Sequence, residues 1–216
     1  MILTCYSCNE ELSQEIEVYQ NDFNTGDYTG IDSVYISEFD GSPLLGNFNN
    51  SGFSLKLNEL PEHDFIRVTF DLYIHDSWEG NTNHSETDLV DHDAWFLEFE
   101  PDKKVNPADK IYFETTFSNG LCIPGWCYTQ SYPNNFPFNN EARTQASVRT
   151  LGGRCLWQSS PVGTSIYRID KIFPHTRRST VLAFYDRLKQ RDSSSPLCDE
   201  SWSLDNLNIS IFTTTK

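Results

Sequence analysis

Oxygen ligands are the chemistry this sequence offers most freely. Asp22, Asn24 and Asp27 fall in the run QNDFNTGD, Asp199 and Glu200 head the run CDESWSLDNLNIS, and Asp205 lies in its middle. Calcium takes six to eight oxygens from carboxylates, amide carbonyls and backbone in a flexible geometry. Carboxylates gathered without a cation repel and raise one another's pKa. These six residues are therefore a candidate calcium site if the two ends of the chain meet; the alternative is a set of solvated turn acids. A second acidic group comprises Asp71, Asp76, Glu79, Glu86, Asp88, Asp91 and Asp93, interleaved with His75, His84 and His92. Asp71, Asp76 and Asp93 are its candidate ligands, for calcium or a glycan contact, against the plainer reading of an acidic loop in water. His92 between two Asp residues lacks the ligand spacing of a zinc site.

Aromatic and sulfur chemistry concentrate in the run GLCIPGWCYTQSYPNNFPFNNEA, residues 120 to 142. Trp126, Tyr128 and Tyr132 are candidates for stacking on a sugar ring or a protein partner, and equally for covering the end of a sandwich. Six cysteines form an even set: Cys5, Cys8, Cys122, Cys127, Cys155 and Cys198. Cys122 and Cys127 read as a local staple of the aromatic loop, Cys155 with Cys198 as a tie to the final strand, and Cys5 with Cys8 as a third pair. Spacing alone leaves the connectivity open. Three sequons, at Asn49, Asn83 and Asn208, accompany the cysteines and favour an extracellular protein. The first residues, MILTCYSC, are too short and polar for a signal peptide, so a secreted form needs a leader outside this sequence. No GxSxG, HExxH, P-loop or GxGxxG motif occurs, and no acid/base pair is placed by the pattern, so a non-catalytic role is expected.

The charge balance narrows the partners. With 31 acidic against 16 basic residues the net charge is −15, which disfavours a phosphate backbone and suits cations. No apolar run is long enough to span a bilayer. The 216 residues, 38% hydrophobic and 14% aromatic, suffice for one packed domain.

The elements that must position these residues alternate with period two. In FIRVTFDLYIHDSW, Ile66, Val68, Phe70, Leu72, Ile74 and Trp78 share one parity. The same alternation runs through AWFLEFE, IYFETTF, SIYRIDKIF and TVLAFYDRL, with turn signals between them. Helical spacing is weak everywhere, residues 7 to 17 being its one faint instance. The expectation is an all-β, antiparallel sandwich over residues 20–216, preceded by a Cys-containing segment at 1–19, with long insertions at 79–94 and 120–142. In the last strand Trp202 and Leu204 share one parity and Leu207, Ile209 and Ile211 the other. A β-bulge at Asp205–Asn206 reconciles them.

The segments LKLNELPEHDFIRVTFDLYIHDSWEGN, DAWFLEF, FETTFSNG, QSYP and DESWSLDNLNIS, in this order, resemble secreted jelly-roll β-sandwich modules of large extracellular proteins. The last strand is also similar to reelin-type and carbohydrate-binding-module jelly rolls. The resemblance covers about residues 20 to 211 and implies a non-catalytic, often calcium-holding extracellular domain. The expected function is a structural or adhesive module that assembles with other protein subunits into a surface coat or fibre. The alternative is a lectin-like module that binds glycans. Neither nucleic acid nor membrane insertion is expected.

Overall fold

The computed structural model describes residues 12–82, 92–100, 110–120, 122, 124, 127–189 and 194–214. Fourteen strands follow in chain order: β1 (Leu12–Asn21), β2 (Ile31–Asp32), β3 (Ile36–Phe39), β4 (Ser42–Phe48), β5 (Gly52–Leu57), β6 (Phe65–Asp76), β7 (Ala94–Phe99), β8 (Tyr112–Thr116), β9 (Thr129–Gln130), β10 (Asn140–Glu141), β11 (Val148–Leu151), β12 (Thr164–Pro174), β13 (Thr180–Arg187) and β14 (Glu200–Thr214). One helical turn, α1 (Pro196–Asp199), precedes β14.

Two antiparallel sheets face each other. The first runs β11-β12-β6-β14-β4-β3, with β1 also paired to β14, and the second runs β2-β5-β13-β7-β8. Strands adjacent in sequence repeatedly fall in different sheets, as a jelly-roll sandwich requires. The expected all-β antiparallel sandwich is present. Its core joins Ile66, Val68, Phe70, Leu72 and Ile74 of β6 to Leu182 and Phe184 of β13 and Trp95 and Leu97 of β7. Because β6 has one face toward the second sheet, its period-two pattern appears directly as alternating burial.

The bulge lies where the parity break places it. Asp205 pairs with Asp71, but the next registered pair is Asn208 with Thr69, so β14 spends three steps where β6 spends two. Asn206 takes the extra position with φ +52°, the left-handed region that Asn tolerates better than most residues. Trp202, Leu204, Leu207, Ile209 and Ile211 are all buried as a result.

Two boundaries differ from expectation. Residues 12–17, the described part of the faint helical stretch at 7 to 17, are strand, because β1 completes its hydrogen bonds on β14 from Leu12↔Thr214 to Asn21↔Leu207. Long-range pairing outweighs a weak local preference. The segment assigned to residues 1–19 therefore contributes to the sandwich from Leu12 onward. Cys5 and Cys8 lie outside the described residues, as do most of the polar insertion (83–91) and parts of the aromatic one.

Disulfides join Cys122 to Cys127 and Cys155 to Cys198, the pairings expected for these four cysteines. Closing the 43-residue separation of the second is worth about 4 kcal/mol in chain entropy. Two disulfides suit an oxidising, non-cytosolic compartment. No helix among the described residues is long and apolar enough to cross a membrane.

Candidate functional site

The last residues of β6, the first of β7, β12 and β14, and the loops between them converge at one end of the sandwich. Asp76 closes β6 and is fully buried. Its carboxylate accepts the backbone N–H groups of Trp157 (2.9 Å), Arg154 (3.1 Å) and Cys155 (3.3 Å). Burial pushes its pKa up, while these three donors pull it back. A single carboxylate thereby fixes the loop between β11 and β12. Gly153 is required there, since a Cβ would stand 2.1 Å from the Asp76 Oδ1. Cys155–Cys198 ties the same loop to α1, and the Leu156 N–H donates to the Cys198 carbonyl at 3.3 Å.

Beside this loop lies a cavity of about 420 Å³ lined by Ser77, Glu79, Gly120, Tyr128, Trp157, Ser160 and Val162. That is within the range of small-molecule sites, and larger than the hollows of about 260 to 300 Å³ elsewhere on the described surface. Trp157 and Tyr128 are half-buried, which leaves ring area for a ligand. Each follows closely on a disulfide cysteine, Cys155 and Cys127. Tyr128 packs its ring against Gly120, where any Cβ would come within 2.4 Å of it.

Behind the cavity is a set of carboxyls. Asp93, Glu200, Glu79 and Asp199 are 1%, 2%, 7% and 7% exposed. The Asp93 carboxylate accepts the N–H of Glu79 (2.9 Å) and of Lys189 (3.1 Å), so it joins the ends of three segments. Asp93 and Glu200 hydrogen-bond each other through their side chains. Burial, partly offset by the two backbone donors and reinforced by the Glu79 charge, pushes Asp93 up to about 7. Glu200 is raised well above the usual carboxylate range, first by burial and then by the charges of Asp93, Asp199 and Glu79. Asp199 accepts the Ser77 hydroxyl at 2.8 Å.

The six residues expected to hold calcium divide between two places. Asp199 and Glu200 belong to the end just described. Asp205 lies five residues farther along β14, about 16 Å away at the rise of an extended strand. It sits opposite Asp71, with Asp22 in its field: burial and the charges of Asp71 and Asp22 raise its pKa. One ion reaching its ligands at 2.3–2.6 Å cannot touch both groups. Asp22 and Asp27 are turn acids: the Asn24 side chain and then its N–H (3.1 Å) hold Asp22 below the usual carboxylate range, and the Thr29 hydroxyl (2.7 Å) and then its N–H (3.0 Å) do the same for Asp27. No group of three or more His, Cys, Asp or Glu side chains among the described residues is arranged to hold a metal ion.

The second set also divides. Asp71 accepts the Asn206 amide at 2.8 Å and faces Arg168 at 3.6 Å, Asp76 anchors a loop, and Asp93 lies behind the cavity. Of the histidines, buried His75 contacts Thr164 and Ser203, and His92 stacks on Phe136 at 4.0 Å. Glu86, Asp88, Asp91 and His84 lie outside the described residues, as does Trp126. Tyr128 lines the cavity, whereas Tyr132 belongs to the core, packed on Phe117 and Tyr167. Asn49 donates its amide to the carbonyls of Glu200 (2.7 Å) and Pro196 (3.3 Å), and Asn208 donates to Glu17 across β14 and β1. Asn83 lies outside the described residues.

Sequence reasoning missed Trp157 and the anchoring role of Asp76. The signal was present in GGRCLW, where paired glycines precede a cysteine and a tryptophan. What was absent was any indication that a carboxylate some 80 residues earlier would hold that turn. No protein-family model matches the chain, and no curated protein matches it.

Proposed function

We propose that this chain is a non-catalytic, extracellular, lectin-like module that binds a saccharide in the cavity between Trp157 and Tyr128. The carrying observation is the cavity itself: Trp157 and Tyr128, each set beside a disulfide, share its lining with Ser77, Ser160 and Glu79. Aromatic faces pack on the apolar face of a pyranose, and a few placed polar groups fix its orientation. Preorganised loops reduce the ordering cost of binding.

This reading takes precedence over the self-assembling structural module because the exposed apolar side chains of the strands, Ile16, Tyr112 and Ile172, lie on three different strands. Singly exposed apolar residues are normal on a monomer. Calcium stays a proposal centred on Asp205 alone, whose pKa burial and the charges of Asp71 and Asp22 raise, since no three acids among the described residues are placed to hold an ion.

The test is a glycan array followed by titration calorimetry on monodisperse protein. Saturable binding is expected, with Trp157→Ala weakening it at least tenfold while the melting temperature stays within a few degrees. Absence of saccharide binding, or binding indifferent to Trp157→Ala and Tyr128→Ala alike, would overturn the reading. Concentration-dependent polymers in light scattering would return the structural role.

A further inference from the structure

A second hollow, of about 280 Å³, adjoins the cavity and is lined by Gly120, Cys122, Glu141, Ala142, Arg143 and Arg149. Gly120 belongs to both linings, so the two share a wall. The hollow differs in character from its neighbour: two guanidiniums line it, against one carboxylate, the exposed Glu141. Arg143 is held from both ends. Its N–H donates to the Gln130 Oε1 at 2.8 Å, and its guanidinium donates to the carbonyl of Asn119, the residue before Gly120, at 2.9 Å. Arg143 is 9% exposed, and that carbonyl takes a single N–H of a guanidinium that carries several. Arg149 is exposed and donates to the Ala146 carbonyl at 3.3 Å. Neither guanidinium pairs with a carboxylate among the described residues. Arg149 is close enough to act on Arg143: burial first, and the Arg149 charge with it, lower the Arg143 pKa. An anion lying between the two would relieve that repulsion.

From this juxtaposition we propose that the two hollows form one extended site for an acidic oligosaccharide, with a neutral pyranose against Trp157 and Tyr128 and the carboxylate of a neighbouring uronate on Arg143 and Arg149. The inference rests on the saccharide reading above and narrows it. A guanidinium matches a carboxylate in plane and donates to it in bidentate fashion. Arg143 is already immobilised, so less side-chain freedom is lost on binding. Burial holds Asp93 and Glu200 toward their protonated forms, so they add little repulsion, and Glu79 lines the first cavity but not the second. The net charge of −15 is spread over the whole chain and is screened beyond about 10 Å at 0.1 M salt, so the local pair decides.

The experiment is calorimetric titration of the full chain with a uronate-bearing oligosaccharide and with the same oligomer after its carboxyls are reduced to alcohols. Reduction removes the charge and leaves the ring shape nearly intact, so it separates the two hollows' contributions. The acidic oligomer should bind roughly tenfold or more tightly than the reduced one, since hydrogen bonds between charged groups are the stronger class. Raising salt from about 0.1 M to about 1 M shortens the Debye length from about 10 Å to about 3 Å and should erase most of that preference. Arg149→Gln, at an exposed position, should cut the preference by about fivefold or more; the salt titration, made on the unaltered protein, decides the matter if that variant does not fold. Equal or tighter binding of the reduced oligomer, or a preference that either salt or Arg149→Gln leaves unchanged, overturns the acidic-saccharide inference and leaves the saccharide reading in place. If neither oligomer binds, both fall.

Discussion

Asp93 makes stability depend on pH in a direction opposite to that of a salt-bridged carboxylate. Its pKa is pushed from the ordinary 3.8 up to about 7 by burial and by the Glu79 charge. The folded state therefore holds the proton more tightly than the unfolded state does. Stability is full below the unfolded pKa and falls as pH rises from about 4 to about 7. At about 1.4 kcal/mol per pKa unit the effect is on the order of a few kcal/mol, and it belongs to the Asp93–Glu200 pair, since Glu200 is raised in the same sense.

That slope is not visible in the unaltered protein alone. His75 is fully buried, and burial followed by the Arg154 charge depresses its pKa well below the usual 6.5. Its unfolded form takes up a proton below pH 6.5, so it lowers stability toward acid pH, in the opposite sense. The informative quantity is the difference between the unaltered protein and Asp93→Asn, followed from pH 5 to pH 8 by urea unfolding. The amide keeps the shape but has one acceptor for the two N–H groups of Glu79 and Lys189, so it costs about 1 to 3 kcal/mol at pH 5. That deficit should shrink or reverse toward pH 8 by roughly 2 to 3 kcal/mol, equivalent to about 5 to 10 °C in melting temperature for a chain of this size. A stability difference constant across the range would refute the account of Asp93 as a buried carboxyl held against its neighbours.

Three further outcomes follow from the geometry. Asp76→Ala leaves the N–H groups of Arg154, Cys155 and Trp157 without their acceptor, and should cost on the order of 3 to 5 kcal/mol with a red-shifted tryptophan fluorescence; a loss below about 1 kcal/mol would discard its anchoring role. Asn206→Gly should fold with a melting temperature within a few degrees of the parent, because φ +52° is open to glycine, and a variant lacking Asn206 should still fold, since it pairs Leu207 with Phe70 in regular register, whereas inserting one more residue after Asn206 should abolish cooperative unfolding by turning Leu207, Ile209 and Ile211 outward; an insertion variant of unchanged stability would dismiss the bulge argument. Calcium at about ten times its dissociation constant should raise the melting temperature by about 3 to 5 °C, and Asp205→Ala should cancel the response; an equal response in both proteins would remove Asp205 from the ion's ligands.

Much of the fold was legible in the residues. One-sided burial writes itself as period two, so β6, β12 and β13 could be read directly from Ile66 to Ile74, Tyr167 to Ile169 and Leu182 to Phe184. The bulge was legible for the same reason: a change of parity between Leu204 and Leu207 has no other solution in a strand with one buried face. Strand β1 was less legible, since LSQEIEVYQN becomes a strand by pairing with β14 almost 200 residues later.

The site was legible in part. Tyr128 and the two described disulfides were nominated, but Trp157 was not, and the acids were grouped by proximity in sequence. The extended strand separates Glu200 from Asp205, while the sandwich brings Asp93 against Glu200 and places Glu79 beside Trp157. Composition and spacing determined that the chain forms antiparallel sheets rich in surface acid, because those depend on each residue and its near neighbours. Which carboxyls share a buried pocket, and which aromatics wall a cavity, the tertiary structure decided. Those juxtapositions join segments 14 to 110 residues apart, and no local pattern carries the register that brings them together.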